Sequence, residues 1–453
     1  MMKLIKTIVT ALIIFSIPLF GQQPEDINSP PPQNATEEED VGNETANQGK
    51  GVENPIHNLT PKSSTEDDIL ADSLKDIPNI IDFTYTEKEG LLPIHPLKYL
   101  RKAWTPIYLF YRDELNVDLA VAYTTLYQRA TTGIGYEEAA GDDFDFYGLW
   151  TICDKEKTLH PSSVGFAFEG RNEWTTIPPR LLGANIGSLW GTVNTFSLEE
   201  YSLIQLWWEY HIIRKKFGFR VGKLDQTDYF NLYTFISSNF SFLNEGLTTD
   251  LTIAFPDNGL GVIFGYKPTK ETFFFASIGD MNAVKTSWCL DTFFTEHEYF
   301  KAFEFSYKPK VPCQGEGNYN VMIWHSDEVK KKHIPASQGF AVSLEQEFRT
   351  GFIPFLRYGH SDGKNTGITD SLATGFGVIS PFRRKDDEFS FGIIWAKPRQ
   401  NGLSDQMMCE SYYRLQLTQH TQITPDVEVV FNPSYNPDHS MIGVFSIRFR
   451  VSL

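Results

Sequence analysis

Long apolar runs are absent from this 453-residue chain after its first twenty residues. A membrane-spanning helix needs roughly 20 consecutive apolar residues. Hydrophobic residues make up only 41% of the chain and the mean hydropathy is negative, which excludes a bundle of such helices. The one long apolar run, 8–20, follows Lys3 and Lys6 and precedes the small residue Gly21. This pattern predicts a secretory signal peptide over 1–21, which is removed and places the protein outside the cytoplasm.

Cysteine is scarce, with only Cys153, Cys289, Cys313 and Cys409. The four form no CxxC pair and no His/Cys cluster with zinc-ligand spacing, so the sequence predicts no metal site. An oxidising compartment permits a Cys289–Cys313 bridge, and unpaired thiols are the equal alternative.

Catalytic and phosphate-binding motifs are also missing. The chain has no GxSxG, and its histidines at 160, 211 and 360 stand apart from any serine–acid arrangement. Gly259 and Gly261 lie inside a predicted strand rather than before a helix, so they are not a phosphate loop. No basic stripe suits nucleic acid. We therefore expect neither an enzyme, a cofactor nor a nucleic-acid partner.

Residues 22–95 differ in composition from the rest of the chain. They carry sixteen acidic and four basic residues, about −12 of the total charge of −17, with few aromatics and a Pro30–Pro32 run. Such a segment cannot bury enough apolar surface to offset chain entropy, which predicts a disordered acidic tail. A short helix over Ser64–Ile77 is the one element that its sequence suggests.

From residue 96 onward the sequence predicts one all-β domain, 96–453, of about sixteen short alternating strands. Tight turns alternate with long loops, as in closed bacterial barrels, where the strand number is even. The predicted strands are 116–128, 143–152, 163–173, 201–213, 217–224, 259–267, 271–279, 300–308, 318–325, 338–348, 352–359, 370–379, 388–396, 410–418, 424–431 and 441–453.

The last stretch, 441–453, has the clearest period of two. Phe445, Ile447 and Phe449 alternate with Ser446 and Arg448. In an outer-membrane barrel the apolar face meets lipid and the charged face lines an aqueous lumen. The pattern therefore favours a 16-stranded antiparallel outer-membrane β-barrel, although a barrel's final strand usually ends in Phe and this one ends in Leu453. A secreted β-sandwich binding module is the alternative, because its strands alternate too.

Charged side chains on the inward register are the first group of candidate pore residues. Carboxylates and guanidiniums that oppose each other across a narrow pore create a field that orients polar solutes. The alternative is that they pair with one another on a wet wall. The candidates are Glu209, Glu345, Glu347, Arg220, Arg357, Arg414 and Arg448.

Several ordered motifs resemble the OprB-type carbohydrate-selective porins. They are Phe217–Asp225 with Asp228-Tyr-Phe, Phe255–Gly261, Gln338–Glu347, Phe355–Gly363, Glu410–Thr418, Ile423–Asp426 and Phe431–Asp438. The resemblance covers roughly 100–453. It implies an outer-membrane porin for passive diffusion of small polar solutes, with one loop folded into the pore.

Within that family the acidic tail and the terminal Leu453 resemble an arginine-conducting branch more than the sugar porins. This implies L-arginine uptake, functionally linked to an arginine decarboxylase and an arginine/agmatine exchanger. By family analogy the loop 225–258 is the constriction, and it contains no Lys or Arg. Because a guanidinium is best met by carboxylates, the loop candidates are Asp225, Asp228, Asp250 and Asp257.

Four questions stay open at this stage. The loop acids can cap turns instead of binding solute, and the loop aromatics at 229, 230, 233 and 235 can form a slide or simply pack. The solute can be a mono- or disaccharide, as the family resemblance implies. A homo-oligomer is also left open, because no trimer surface is visible in the sequence.

Overall fold

The structure is a computed structural model that describes residues 69–70, 75–153, 158–287, 290–312 and 315–453. Its strands form one antiparallel sheet. They are β1 Val117–Ala130, β2 Glu138–Cys153, β3 Ser162–Glu173, β4 Glu199–Ile213, β5 Phe217–Leu224, β6 Gly259–Tyr266, β7 Thr272–Asp280, β8 Tyr299–Tyr307, β9 Lys310–Val311, β10 Gly315–Ser326, β11 Ser337–Gln346, β12 Phe352–Ser361, β13 Ile368–Ile379, β14 Glu388–Pro398, β15 Gln406–Thr418, β16 Thr421–Phe431 and β17 Met441–Ser452.

The sheet closes on itself. The first strand, β1, pairs with both β2 and the last strand, β17, with Tyr123 opposite Val451. Within the described part of the chain, the two-residue strand β9 pairs only with β10, and β10 also pairs with β8, so sixteen of these seventeen strands form the ring. The predicted 16-stranded antiparallel barrel is confirmed. A closed ring has no edges, which excludes the β-sandwich alternative.

The two faces of the ring separate as the period of two predicts. On β17, Phe445 and Ile447 point outward and are exposed, whereas Ser446, Arg448 and Arg450 are buried inside. On β10 the outward Val321 lies between Phe305 of β8 and Val342 of β11. These neighbours form an apolar outer belt of the kind that contacts lipid.

Connections at the two ends of the ring differ in length. One end has short turns, such as 214–216, 267–271 and 419–420, and the other has long loops, such as 174–198, 225–258 and 281–298. In bacterial barrels the short turns face the periplasm and the long loops face outward. The longest loop, 225–258, folds into the ring, and most of its side chains are buried.

Helices are short apart from two that precede β1. They are α1 Ile77–Tyr85, α2 Lys98–Leu115, α3 Leu182–Asn185, α4 Glu245–Thr248 and α5 Leu290–Thr295, with single 3₁₀ turns at Pro179–Leu181, Gln226–Asp228, Lys330–Lys332 and Pro381–Arg383. Over the described part of the chain, none of the helices has the length and apolar character required to cross a membrane.

The prediction that residues 22–95 form a disordered tail is wrong at the C-terminal end of that range. Helix α1 lies within that range and buries Ile77, Ile80 and Ile81, whose spacing of three and four residues places them on one face. Asp76 caps this helix by accepting a hydrogen bond from the Ile77 amide at 3.0 Å. Most of the predicted helix 64–77, the signal peptide 1–21 and the first part of the tail lie outside the described residues.

The four cysteines divide between described and undescribed positions. Cys153 is exposed, Cys409 is partly buried, and both are free thiols. Cys289 and Cys313 lie outside the described residues, so their bridge stays a prediction.

Candidate functional site: the lumenal cavity

The loop 225–258 is the element around which the interior is arranged. Its aromatic side chains pack against inward-facing rings of the wall, with ring centroids 5.0 Å apart for Tyr233 and Phe355 and 5.1 Å apart for Phe242 and Tyr412. Tyr229, Phe230, Tyr233 and Phe235 are all buried. The packing alternative for these rings therefore describes the structure, and they offer no open slide.

Wall carboxylates hold the backbone amides of this loop. Glu304 accepts a hydrogen bond from the Asn231 amide at 2.6 Å, and Glu345 accepts one from the Thr234 amide at 2.9 Å. Glu410 accepts from the amides of Leu243 at 2.5 Å and Asn244 at 2.9 Å. These buried carboxylates replace the water that a free loop would bind.

Wall arginines hold the carbonyl groups of the same loop. Arg357 donates to Leu247 O at 3.0 Å, and Arg414 donates to Phe240 O at 3.0 Å. Arg448 donates to the carbonyls of Ser238 at 2.5 Å and Ser241 at 2.9 Å. Glu345, Arg357, Arg414 and Arg448, predicted as pore residues, thus face inward but contact the loop.

Two further predicted residues form a buried ion pair on the neighbouring strands β4 and β5. Arg220 donates to Glu209 at 2.6 Å and to Asp76 at 2.8 Å, and all three side chains are almost fully buried. The guanidinium carbon of Arg220 lies 4.0 Å from the ring centroid of Trp207. Arg220 therefore joins the wall to the segment before β1.

A cavity of about 510 Å³ remains between the loop, the strands β2–β4 and the segment before β1. Seven carboxylates and four cationic side chains are among its lining residues. The carboxylates are Asp145, Glu169, Glu199, Asp225, Asp228, Glu245 and Asp257; the cations are Lys75, Arg171, Arg180 and Lys285. The lining is therefore acidic on balance.

The cations of the cavity lie next to acids. Arg171 contacts Asp143 at 3.1 Å, Glu169 at 2.9 Å and Glu199 at 3.2 Å. Lys285 contacts Glu169 at 2.5 Å and Glu199 at 2.9 Å. Carboxylate oxygens of Asp143, Asp145 and Glu169 lie within 4.8 Å of one another. Arg171 and Lys285 contact Asp143 and Glu169 and so compensate part of the charge of this group.

The predicted loop acids divide between the cavity and the loop interior. Asp225 and Asp257 line the cavity and also cap turns, accepting hydrogen bonds from the amides of Thr227 at 2.9 Å and Asn258 at 3.0 Å. Asp228 lines the cavity and accepts from Gln205 Nε2 at 2.8 Å. Asp250 is buried in the loop, where it accepts from the amide of Thr252 at 3.0 Å.

Burial raises the pKa of the Asp228 carboxyl well above its ordinary value, and the nearby charge of Asp225 adds to this, while Lys75 opposes it. The Asp228 carboxyl therefore takes up a proton at a higher pH than an ordinary aspartate does.

Glu347 does not line the cavity. It lies one residue beyond the end of β11, in the exposed turn 347–351. Three cavity residues, Lys285, Glu199 and Arg180, were not predicted from the sequence. Lys285 and Arg180 lie on loops without periodicity and Glu199 begins a strand, so no pattern marked them.

Comparison with known proteins places these features in one family. Residues 175–453 match the sequence profile described as "Carbohydrate-selective porin, OprB family". A curated relative, porin AaxA of Chlamydia caviae, is 21% identical over 215 residues, 46% of this chain and 47% of that protein. Porin AaxA of Chlamydia abortus is 20% identical over 275 residues, 58% of this chain and 60% of that protein. The chain thus spans about half the length of the curated relatives it matches.

Among solved structures, the "High pH structure of Pseudomonas putida OprB" superimposes with a TM-score of 0.63. It covers 77% of this chain and 97% of its own at 14% sequence identity. At this identity the likeness concerns the fold, and it agrees with the sixteen-stranded ring described above.

Proposed function

The chain belongs to the OprB family of carbohydrate-selective porins, and from this premise we propose that its preferred solute is a cation, L-arginine. As a porin of the outer membrane it is a channel for small solutes rather than an enzyme. The observation that carries the proposal is the acidic lining of the lumenal cavity, with seven carboxylates against four cations.

The cavity offers both kinds of group that a zwitterionic cation requires. Asp225 and Asp228 can receive a guanidinium, for which carboxylates are the best acceptors. Arg180 and Lys285 can attract the α-carboxylate, although each is engaged by acids, Arg180 by Glu245 at 2.6 Å. The arrangement suits a solute of mixed charge better than a neutral one.

Carbohydrate is the second candidate, because the family profile that matches this chain is described as carbohydrate-selective. Sugar hydroxyl groups hydrogen-bond carboxylates and arginines as well, so the polar lining does not exclude them. Solute rates on the purified protein decide between the two.

Neutralising the two loop acids is expected to slow arginine selectively. In liposome-swelling and bilayer measurements, we expect wild-type protein to pass L-arginine faster than glucose or glutamate. Asp225→Asn with Asp228→Asn should lower the arginine-to-glucose ratio about fivefold, the equivalent of about 1 kcal/mol of lost attraction. Asparagine keeps the cap that Asp225 provides.

The matched control is Glu347→Gln, which neutralises an exposed acid of the turn 347–351, outside the cavity. This variant should keep the wild-type ratio. Glucose entry equal to or faster than arginine entry in the wild type would contradict the arginine proposal and return the protein to the sugar porins.

The cation preference is expected to weaken on acidification. Because the pKa of Asp228 is raised, its carboxyl becomes protonated and neutral at a higher pH than an ordinary Asp. A raised carboxyl pKa also means that protonation stabilises the folded state, so the barrel does not lose stability through this group as the pH falls. Reversal potentials in a KCl gradient, recorded between about pH 8 and pH 4, measure this change, which should begin at a higher pH than the titration of an ordinary Asp. Asp228→Asn should remove the corresponding step, and an identical profile in that variant would contradict its assignment.

A further inference from the structure

Part of the chain before β1, including helix α1, packs against the inner face of the ring. Ile69 and Leu70, together with Ile77, Ile80 and Ile81 of α1, are each at most 4% exposed. They share one buried cluster with inward-facing wall residues. We refer to residues 69–70 and 75–92 as the lumenal segment.

The wall beneath this segment is mostly apolar apart from the Glu209–Arg220 pair, unlike the charged wall around the loop. Inward-facing side chains of five strands are buried in the same cluster: Tyr147, Leu149, Trp207, Ile263, Phe275 and Trp324. An aqueous barrel lumen is lined by polar groups. Without the lumenal segment this patch would face water, which is unfavourable for apolar surface.

Gly265 of β6 provides the space for one end of the segment. A Cβ atom there would lie 2.7 Å from Leu70 Cδ2 and 2.9 Å from Ile69 Cγ2, closer than atoms can approach. All three of its nearest atoms belong to Ile69 and Leu70. A side chain at this position would therefore clash with the lumenal segment, which lies closer to it than the other parts of the barrel do.

An ion pair fixes the middle of the segment. The 2.8 Å contact between Asp76 and Arg220 joins two side chains that are 0% exposed. Arg220 keeps a second carboxylate, Glu209, on the adjacent strand. Loss of the Asp76 charge would thus weaken the helix attachment and leave the wall pair in place.

The C-terminal part of the lumenal segment is hydrogen-bonded to strands near the short turns of the barrel. Tyr85 Oη donates to Leu119 O at 2.7 Å, and the amides of Leu91 and Leu92 donate to Gln416 O at 2.9 Å and Leu417 O at 2.8 Å. The segment therefore extends across the lumen from β6 to β1 and β15.

Lys75 brings a cation of the segment to the solute cavity. It lines that cavity with Asp225 and Asp228, and its Nζ atom lies 3.5 Å from Thr248 O. A cationic solute that reaches these two acids meets an ammonium group already attached to the chain.

We propose that the lumenal segment is an internal plug that restricts the pore from the short-turn side and presents Lys75 as a tethered competitor for the solute-binding acids. Only the role of Lys75 rests on the proposed arginine function. The plug itself is independent of the solute.

Three variants of the full-length protein and one control test the plug and the role of Lys75 in planar bilayers and swelling liposomes. Gly265→Leu should displace the segment by steric clash, and Asp76→Asn should detach it while keeping the helix cap. Both should raise single-channel conductance at least about twofold and glucose entry with it, because conductance follows the open cross-section. The control is Gly443→Leu, which adds the same side chain on β17. A Cβ atom at Gly443 would have no neighbouring atom closer than 3.4 Å.

Lys75→Met removes the cation without breaking the ion pair. It should raise the arginine rate and the cation selectivity while leaving glucose entry near the wild-type value. Wild-type conductance in both Gly265→Leu and Asp76→Asn would overturn the plug. If Gly265→Leu does not yield the heat-modifiable gel mobility of a folded barrel, Asp76→Asn decides alone. Raised conductance without arginine preference would support the plug and contradict the proposed function.

Discussion

Replacing Glu410 with alanine is expected to release the loop 225–258 from the wall and to raise single-channel conductance several-fold. The carboxylate accepts from two loop amides, those of Leu243 and Asn244, and it is 1% exposed. Charge-assisted hydrogen bonds contribute about 1.5–3 kcal/mol each, and both amides would be left buried without an acceptor. A loss of this size favours local opening of the loop.

Conductance and protease sensitivity of the loop in the refolded protein measure this effect. Ser411→Ala is the control, because Ser411 is the next residue of β15 and its hydroxyl bonds to Ser390 O rather than to the loop. A Glu410→Ala protein with wild-type conductance and an intact loop would mean that the remaining contacts, such as Arg448 with Ser238 and Ser241, suffice.

A charge on the outer belt is expected to destabilise the barrel in lipid. Val321 is 47% exposed to the outside near the middle of β10, between Phe305 and Val342. Arginine at a lipid-facing position near the bilayer centre costs about 2–4 kcal/mol. Val321→Arg should therefore lower the free energy of unfolding in lipid vesicles by about that amount.

Denaturant titration of the folded fraction, followed by heat-modifiable gel mobility, measures the change. Val321→Leu keeps an apolar side chain and should remain within about 0.5 kcal/mol of the wild type. Equal stability of Val321→Arg and wild type would place this face in water and contradict the assignment of the belt.

The strands were the part of the fold that the sequence predicted best, because the period of two is a local pattern. Each of the sixteen predicted strands overlaps one strand of the ring. The start of β2 shows the largest difference, 138 against the predicted 143. Residues 138–142 lack β-branched and aromatic side chains, and their strand conformation comes from pairing with β1, as between Gly141 and Leu126.

The interior was less predictable, because it depends on which distant groups meet. Periodicity identified Glu345 and Arg357 as inward-facing, but it cannot tell whether such a side chain meets solute or loop. The lumenal segment was missed because three isoleucines in an acidic stretch give a weak signal. The partner that reveals it, Arg220, lies 144 residues further along the chain than Asp76.

The position of the lumenal segment has a consequence for biogenesis. The segment continues into α2 and β1 at the short-turn end, so it can enter the closed ring from that end without passing through another loop. Pairing of β1 with β17 and docking of α1 are therefore separable events during assembly. A molecule whose ring closes before α1 docks would have all its membrane strands in place and an unplugged lumen until α1 enters it.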